Sequence, residues 1–425
     1  MRVTFNNLKN PLMLWIMLTL FFAFQFILRL TVGILREDIM GQYQIDTILF
    51  GSLAGFYYLG YAGFQIPIGI LLDKFRPKNV AVTFMLITCM GTIIFANAPN
   101  YNILLLGRFL IAIGSASAFL SIVKIINSYF PKKYHSMMIG ISFTIGLAGA
   151  VFGSNPTKYI FNVFGYNNSF LAIIMSIFAI SIITFSINDK KSIRFDVKEA
   201  KSLNLARFIK LITNKYIIII GVLGGFMVGS LEGFADIWAI PFLQTTQNLS
   251  EHESIFTTSC VYMGMCAGGP LLAYINQYFK SSTTLITLTG IFTCVIFLIL
   301  FNFQISFNVI ALLMFIMGIL CCYQLLVFIF VENFVEQSLI GATIAIINCI
   351  NMSFGWLFHK LIAILLDYQG GINGDTNITI YSANSYYAAM SIVPILALIG
   401  SVGFLVLGYF YNKSNHNTRT EQINY

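Results

Sequence analysis

The chain contains 425 residues, of which 58% are hydrophobic and only 9% are charged. A soluble domain of this size cannot use so much apolar surface, so the composition excludes a soluble enzyme or binding protein. The formal net charge of +8 arises from basic residues that lie between apolar runs, so it requires no nucleic-acid partner.

Twelve long apolar runs follow one another along the chain. A helix of about 20 apolar residues crosses the hydrocarbon core of a bilayer and satisfies its own backbone hydrogen bonds there. The sequence therefore predicts an all-α polytopic membrane protein with twelve transmembrane helices, called spans 1 to 12. Their predicted bounds are 11–35, 47–72, 79–97, 101–128, 136–163, 166–187, 215–244, 253–279, 283–302, 306–331, 337–364 and 385–411.

Basic residues are concentrated on one side of these spans. With the N-terminus in the cytoplasm, 18 of the 24 Lys and Arg residues fall in cytoplasmic segments, as the positive-inside rule requires. Of the others, only Arg36 and Lys158 reach the opposite face. We therefore expect both termini in the cytoplasm, and the high Asn, Ile, Lys and Phe content favours a bacterial cytoplasmic membrane.

The longest polar interruption divides the chain into two halves. It predicts an N-terminal six-helix bundle at 1–187, a cytoplasmic linker at 188–214 and a C-terminal six-helix bundle at 215–425. Residues 197–211 form either a short amphipathic helix on the membrane surface or a plain solvated segment. The seven cysteines all lie inside apolar spans, which indicates buried thiols rather than disulfides or a metal site. With no phosphate-binding loop and no catalytic constellation, we predict a protein that is not an enzyme and has no cofactor.

Ionisable residues inside a membrane are costly, so each is a candidate functional residue. In span 1, Arg29 shares a face with Gln25, one turn earlier. A guanidinium can hold a carboxylate or phosphate with two hydrogen bonds, or form a structural ion pair with a neighbouring helix. In span 2, the spacing of Tyr58, Tyr61 and Gln65 predicts a polar stripe on a cavity wall, although any one aromatic residue can equally serve packing.

The corner between spans 2 and 3 carries the most specific motif. It reads Gly69-Ile-Leu-Leu-Asp73-Lys74-Phe-Arg76-Pro-Lys78. This resembles the G-x-x-x-D-R/K-x-G-R-R/K signature of the major facilitator superfamily, with Arg76 in place of a glycine. The resemblance implies a gating role for Gly69, Asp73, Lys74 and Lys78, without substrate contact.

Further motifs follow in the order of that family. Arg108 begins a segment in span 4 that resembles R-x-x-x-G-x-G-x-A, in which the family links the arginine to proton coupling. The segment from Gly165 to Phe170 resembles the turn between spans 5 and 6, and Val331–Glu336 resembles the start of span 11. Span 5 lacks the G-P-x-x-G-G pattern of drug/proton antiporters. The resemblance implies two six-helix bundles related by a pseudo-two-fold axis, rocking around a midplane site.

Span 7 carries two acids, Glu232 and Asp236, four residues apart and so on one helix face. Two nearby carboxylates in a low dielectric do not both ionise easily, so one could carry a proton. Because span 7 corresponds to span 1 in the other half, these acids should lie at the depth of Arg29, across the cavity. They could bind substrate or proton, or pair with Arg29 when the site is empty. Trp238 and Gln244 extend the same face.

Three other polar residues within the predicted spans each allow two interpretations of their position. Lys124 in span 4 either lines the cavity or extends to the lipid headgroups. His359 and Lys360 in span 11 either titrate in the transport path or form a pair at the membrane rim.

Together these features predict a secondary transporter of a small organic anion or zwitterion, such as an amino acid, short peptide or carboxylate. Arg29 would bind the carboxylate, Glu232 or Asp236 would bind an ammonium group or a coupling proton, and the proton gradient would drive transport by a monomer, in a direction that the sequence does not give. Facilitated diffusion remains open. The alternatives are an exchanger of organophosphates or sugar acids, which would require Arg108 or Lys124 as a second deep cation, and a non-transporting nutrient sensor.

Overall fold

The computed structural model describes residues 9–188, 210–279, 281–336, 339–373 and 379–423. Within these ranges, twelve helices are long and apolar enough to cross a membrane. The twelve spans are Lys9–Ile34, Thr47–Lys74, Pro77–Ala96, Tyr101–Tyr129, Lys132–Phe152, Asn155–Ser186, Lys215–Gln247, Glu251–Asn276, Ser282–Asn302, Phe307–Phe334, Ile340–Tyr368 and Ala383–Tyr411. A short helix, Arg36–Tyr43, joins spans 1 and 2. Strands β1 (Ile372–Asn373) and β2 (Thr379–Ile380) pair antiparallel before span 12.

Because the number of spans is even, span 1 begins and span 12 ends at the same end of the bundle. This end is called the terminal end, and the other is called the opposite end. The first half denotes residues 9–188 and the second half residues 210–423. The proposed amphipathic helix at 197–211 and most of the linker lie outside the described residues.

Local sequence explains where several spans begin. The Asp46 side chain accepts a hydrogen bond from the Leu49 amide at 2.7 Å and so caps span 2. Ser250 and Glu253 form a reciprocal capping box at the start of span 8. Pro77 occupies the first turn of span 3, where its missing N–H has no intrahelical partner to lose.

Spans 5 and 6 meet at a different place from the one predicted. Span 5 ends at Phe152 rather than at 163, and the next helix begins at Asn155. That helix is broken at Gly165, which has φ +76°, a conformation that glycine adopts without steric cost. The predicted turn motif is therefore a kink inside one helical segment, and the part of span 6 after the kink matches the prediction.

Span 7 is not a uniform α-helix. It is α-helical at Lys215–Met227, 3-10 at Val228–Ser230, π-helical at Leu231–Trp238 and α-helical again at Ala239–Gln247. Pro241 lacks the N–H that would bond the carbonyl four residues earlier, which favours a change of helical register at this point. The two acids predicted to share an α-helical face therefore lie on a π-helical segment, a feature that often marks functional sites.

Glycines allow the two halves to approach each other closely. A Cβ atom added at Gly33 in span 1 would lie 2.8 Å from the Asp236 carbonyl in span 7. In span 2, a Cβ at Gly55 would lie 2.7 Å from the Trp356 ring of span 11. Small residues at helix crossings permit such backbone contact.

We expect Gly33→Ala to destabilise the protein although alanine favours helices. The added methyl group would meet the span 7 backbone, and such overpacking costs about 1–3 kcal/mol. Gly41→Ala is the matched control, because a Cβ there meets nothing within 4 Å. Thermal unfolding of both variants in detergent would check this, and an unchanged midpoint for Gly33→Ala would show that the crossing can relax.

Candidate functional site

A buried ion cluster joins the two halves. The Arg29 Nε donates a hydrogen bond to Asp236 Oδ2 at 2.5 Å, and Arg29 Nη2 donates to Glu232 Oε2. Their residue exposures are 6% for Arg29, 2% for Glu232 and 4% for Asp236. The three ionisable residues that the sequence places at one depth are thus in direct contact.

Two tyrosines complete the environment of Asp236. Tyr58 of span 2 donates to Asp236 Oδ2, and Tyr262 of span 8 donates to Oδ1 at 2.5 Å. The Arg29 guanidinium also lies 5.0 Å from the centre of the Tyr58 ring. Sequence reasoning selected Tyr58 but missed Tyr262, for which the available signal was only its position near the middle of span 8.

Arg108 supports the backbone beside this cluster. It is 1% exposed, and its two terminal nitrogens donate to the main-chain oxygens of Leu28 and Arg29 at 2.8 and 2.9 Å. Its guanidinium lies 4.6 Å from the centre of the Tyr57 ring, and the Tyr57 hydroxyl accepts from Gln25 Nε2 at 2.8 Å. These contacts give Arg108 a positioning role, and its part in proton coupling stays a prediction.

Of the stripe expected on span 2, only Tyr58 reaches the ion cluster. Tyr61 stacks on Tyr57 with ring centres 6.0 Å apart. Gln65 accepts a hydrogen bond from Asn348 of span 11 at 2.9 Å, so it lies between the halves nearer the terminal end.

His359 lies in the interior and not at the membrane rim. It is fully buried, and its ring centre lies 5.2 Å from that of Tyr58. Neither ring nitrogen has a hydrogen-bond partner in the described part of the chain. The prediction that His359 belongs to a pair at the membrane rim is therefore wrong. The Lys360 ammonium group lies 5.5 Å from the centre of the Trp356 ring.

The remaining span 7 candidates differ in their surroundings. Trp238 is fully buried and packs edge-on against Phe50 with ring centres 6.2 Å apart. Gln244 is half-buried near the end of the span. Neither shows a hydrogen bond to the ion cluster within the described ranges, so their substrate roles stay predictions.

The expected gating residues lie at the terminal end. Asp73 forms an ion pair with Lys124 of span 4 at 2.6 Å. Lys78 donates to the Ile187 carbonyl at 2.8 Å, which ties span 3 to the end of span 6. Lys74 is exposed, and a Cβ at Gly69 would meet nothing within 4 Å. Lys124 therefore pairs with the acid of the corner motif and does not line the ion cluster.

We expect Asp73→Asn to slow transport about tenfold while changing stability little. The Asp73 side chain is 59% exposed, and exposed ion pairs contribute only about 0.2–1 kcal/mol to stability, so the effect would be on the gating step. The charge-exchanged pair Asp73→Lys with Lys124→Asp should recover part of the rate in a liposome uptake assay. A double variant slower than either single variant would show that the two side chains do not act through each other.

The sequence and the fold of this chain were compared with those of known proteins. The family model described as Major Facilitator Superfamily matches residues 14–359. An uncharacterised transporter of Buchnera aphidicola is 30% identical over 44% of this chain and 48% of its own length. A probable sulfoacetate transporter of Cupriavidus necator is 24% identical over 40% of this chain and 39% of its own length. The chain thus spans about half, or less, of the length of these relatives.

A solved structure shows the same fold over nearly the whole chain. It is a bacterial homologue of the human lysosomal transporter Spinster in an inward-facing, unoccupied conformation. The TM-score is 0.70 at 16% sequence identity, and the match covers 95% of this chain and 96% of that one. At this identity the likeness concerns the fold alone.

Proposed function

The chain belongs to the Major Facilitator Superfamily, and from that premise we propose that it carries a small organic anion or zwitterion in symport with protons. It is a transporter of that family's type and not an enzyme. The substrate class and the coupling ion constitute the proposal. Its main support is the contact of Arg29 in the first half with Glu232 and Asp236 in the second.

This ion cluster must change whenever the halves move relative to each other. An arginine can hold one carboxylate through two parallel hydrogen bonds. Here the Nε and Nη2 atoms of Arg29 are instead used by two different acids of the protein, Asp236 and Glu232. A substrate carboxylate or sulfonate would compete with these acids for Arg29. Protonation of one acid removes its charge and releases the guanidinium, so proton binding and anion binding favour each other.

A zwitterion would use both sides of the same cluster. Its anionic group would bind Arg29, and its ammonium group would replace the guanidinium near the second acid. His359 adds an unpaired donor and acceptor beside Tyr58, so we propose it as a further substrate contact. The Cupriavidus relative is named for sulfoacetate, a small organic anion, which agrees with this chemistry.

The structure resembles a state closed at the opposite end. There, Lys158 pairs with Glu251 at 2.8 Å, and Asn155 donates to the His252 carbonyl at 3.2 Å. Each contact joins the two halves. Of the hydrogen bonds between the halves in the described ranges, the one nearest the terminal end joins Gln65 and Asn348. With the termini in a bacterial cytoplasm, as the basic residues favour, we infer an inward-facing state of two halves that rock around a central site.

The organophosphate alternative receives less support. It requires a second deep cation, yet Arg108 bonds main-chain oxygens and Lys124 pairs with Asp73. A non-transporting sensor would bind the substrate without carrying it across the membrane, so a measurement of flux distinguishes it from a carrier.

The proposal can be tested with purified protein in liposomes that enclose a pH-sensitive dye. Amino acids, short peptides, carboxylates, sulfonates and sugar phosphates would be added in turn. Acidification driven by a carboxylate, sulfonate or zwitterion is the expected result. Flux with sugar phosphates alone, or labelled counterflow without proton movement, would contradict the substrate class or the coupling, respectively. Absence of any flux would favour the sensor.

A further inference from the structure

Arg36 is a second buried guanidinium, separate from the ion cluster. It begins the short helix at the opposite end, between spans 1 and 2, and is 7% exposed. Its sequence neighbours Glu37 and Asp38 are exposed. The charged group is thus turned into the protein, while the two adjacent acids face outward.

This guanidinium has no anionic partner among the described residues. Its Nε and Nη2 atoms are buried without a hydrogen-bond partner, and no ion pair to Arg36 occurs in the described part of the chain. Asp46, a nearby acid in sequence, caps span 2 through the Leu49 amide. Burying a charge without a partner is strongly unfavourable, so this position calls for an anion.

The surroundings of Arg36 come from both halves. Its guanidinium lies 5.8 Å from the centre of the Phe50 ring. Trp238 packs on the same Phe50 ring, and its buried Nε1 has no hydrogen-bond partner among the described residues.

From these contacts we propose that Arg36 and Trp238 bind a second anion at the opposite end of the protein. A guanidinium fork suits the paired oxygens of a carboxylate, sulfonate or phosphate, and an indole N–H can only donate. Both side chains pack on Phe50. Trp238 follows Asp236 by two residues, so this site adjoins the ion cluster on its opposite-end side.

The site would capture the substrate anion before it reaches Arg29. This role rests on the proposed function, whereas anion binding at Arg36 does not. The two can therefore be tested separately, in a protein whose ion cluster carries no charge. The variant with Arg29→Gln, Glu232→Gln and Asp236→Asn removes the cation and both acids together, so no charge is left unpaired there.

Trp238 provides an internal reporter for the experiment. In a protein with Trp15→Phe and Trp356→Phe, Trp238 is the remaining tryptophan, since the chain has three. Sodium sulfate would be titrated at constant ionic strength while tryptophan fluorescence is recorded in detergent. We expect a saturable change that persists in the uncharged cluster variant and whose half-saturation rises at least tenfold in Arg36→Gln.

Two variants separate a site from a general charge effect or misfolding. Lys158→Gln removes a cation that is already paired at the same end and should leave half-saturation unchanged. Arg36→Lys keeps the charge but loses the fork, so it should give an intermediate value.

Three results would overturn the proposal. The first is the same half-saturation in Arg36→Gln. The second is loss of the sulfate response in the uncharged cluster variant, which would assign binding to Arg29 and leave the proposed function intact. The third is a similar rise of half-saturation in Lys158→Gln, which would indicate a general charge effect rather than a site at Arg36.

Discussion

Replacing Arg29 by glutamine should lower the initial rate of transport by about 100-fold. Breaking a buried, hydrogen-bonded charge pair costs about 2–5 kcal/mol, and each 1.4 kcal/mol is tenfold in an equilibrium constant. Arg29 is the one cation that bonds both acids of the cluster in the described structure, so its loss removes the anion-binding group. Uptake of a labelled substrate into proteoliposomes would measure the effect.

The same substitution also leaves two acids buried without their cation, so lower stability must be separated from lost binding. The uncharged cluster variant used with sulfate serves this purpose, because it should be more stable than Arg29→Gln and still inactive. Arg29→Lys should fold and retain a small fraction of the rate, since an ammonium group lacks the fork. Full transport by Arg29→Lys, or recovery of transport in the uncharged variant, would exclude a direct role in substrate binding.

Glu232→Gln should separate proton movement from substrate movement. Asp236 accepts hydrogen bonds from Arg29, Tyr58 and Tyr262, so a proton on this acid would disturb three contacts at once. Glu232 accepts from Arg29 and shares the low-dielectric site, so it is the better candidate to carry the proton. We therefore expect Glu232→Gln to lower the rate of proton-driven uptake by about 100-fold, while labelled counterflow continues.

Asp236→Asn should fail in both assays. Two tyrosine hydroxyls and Arg29 would lose their charged acceptor, so the site itself would be disrupted. The matched pair of substitutions thus assigns different tasks to two acids four residues apart. Counterflow that survives in Asp236→Asn but not in Glu232→Gln would reverse the assignment, and proton-driven uptake by both variants would exclude the cluster as the coupling site.

The fold was predictable because membrane insertion imposes strong constraints on sequence. Twelve apolar runs, the bias of basic residues and the ordered motifs predicted a twelve-span member of this family. The family match confirms the family, and the helices of the described residues and the shared fold confirm the architecture. Arg29, Glu232 and Asp236 could be selected because charges at membrane depth are rare and costly. The correspondence of spans 1 and 7 then placed them opposite each other.

Other parts depend on contacts that sequence does not encode locally. The apolar run continues through Gly153 and Ser154, so hydropathy alone hides the end of span 5. Tyr262 is one of 21 tyrosines, and only the packing of span 8 against span 7 distinguishes it. The position of His359 along span 11 fits either the transport path or the membrane rim, and only the facing Tyr58 places it beside the site.

The π-helical segment of span 7 offers a way to change the contacts of Arg29 without moving whole helices. A π-turn holds one residue more than an α-turn. If that extra residue migrated along the span, each side chain it passed would rotate by about 100°, the angle of one α-helical position. Glu232 and Asp236 both lie within Leu231–Trp238. A one-residue slip would therefore turn one acid away from Arg29 and alter the cluster, with no rigid-body movement of the α-helical segments on either side.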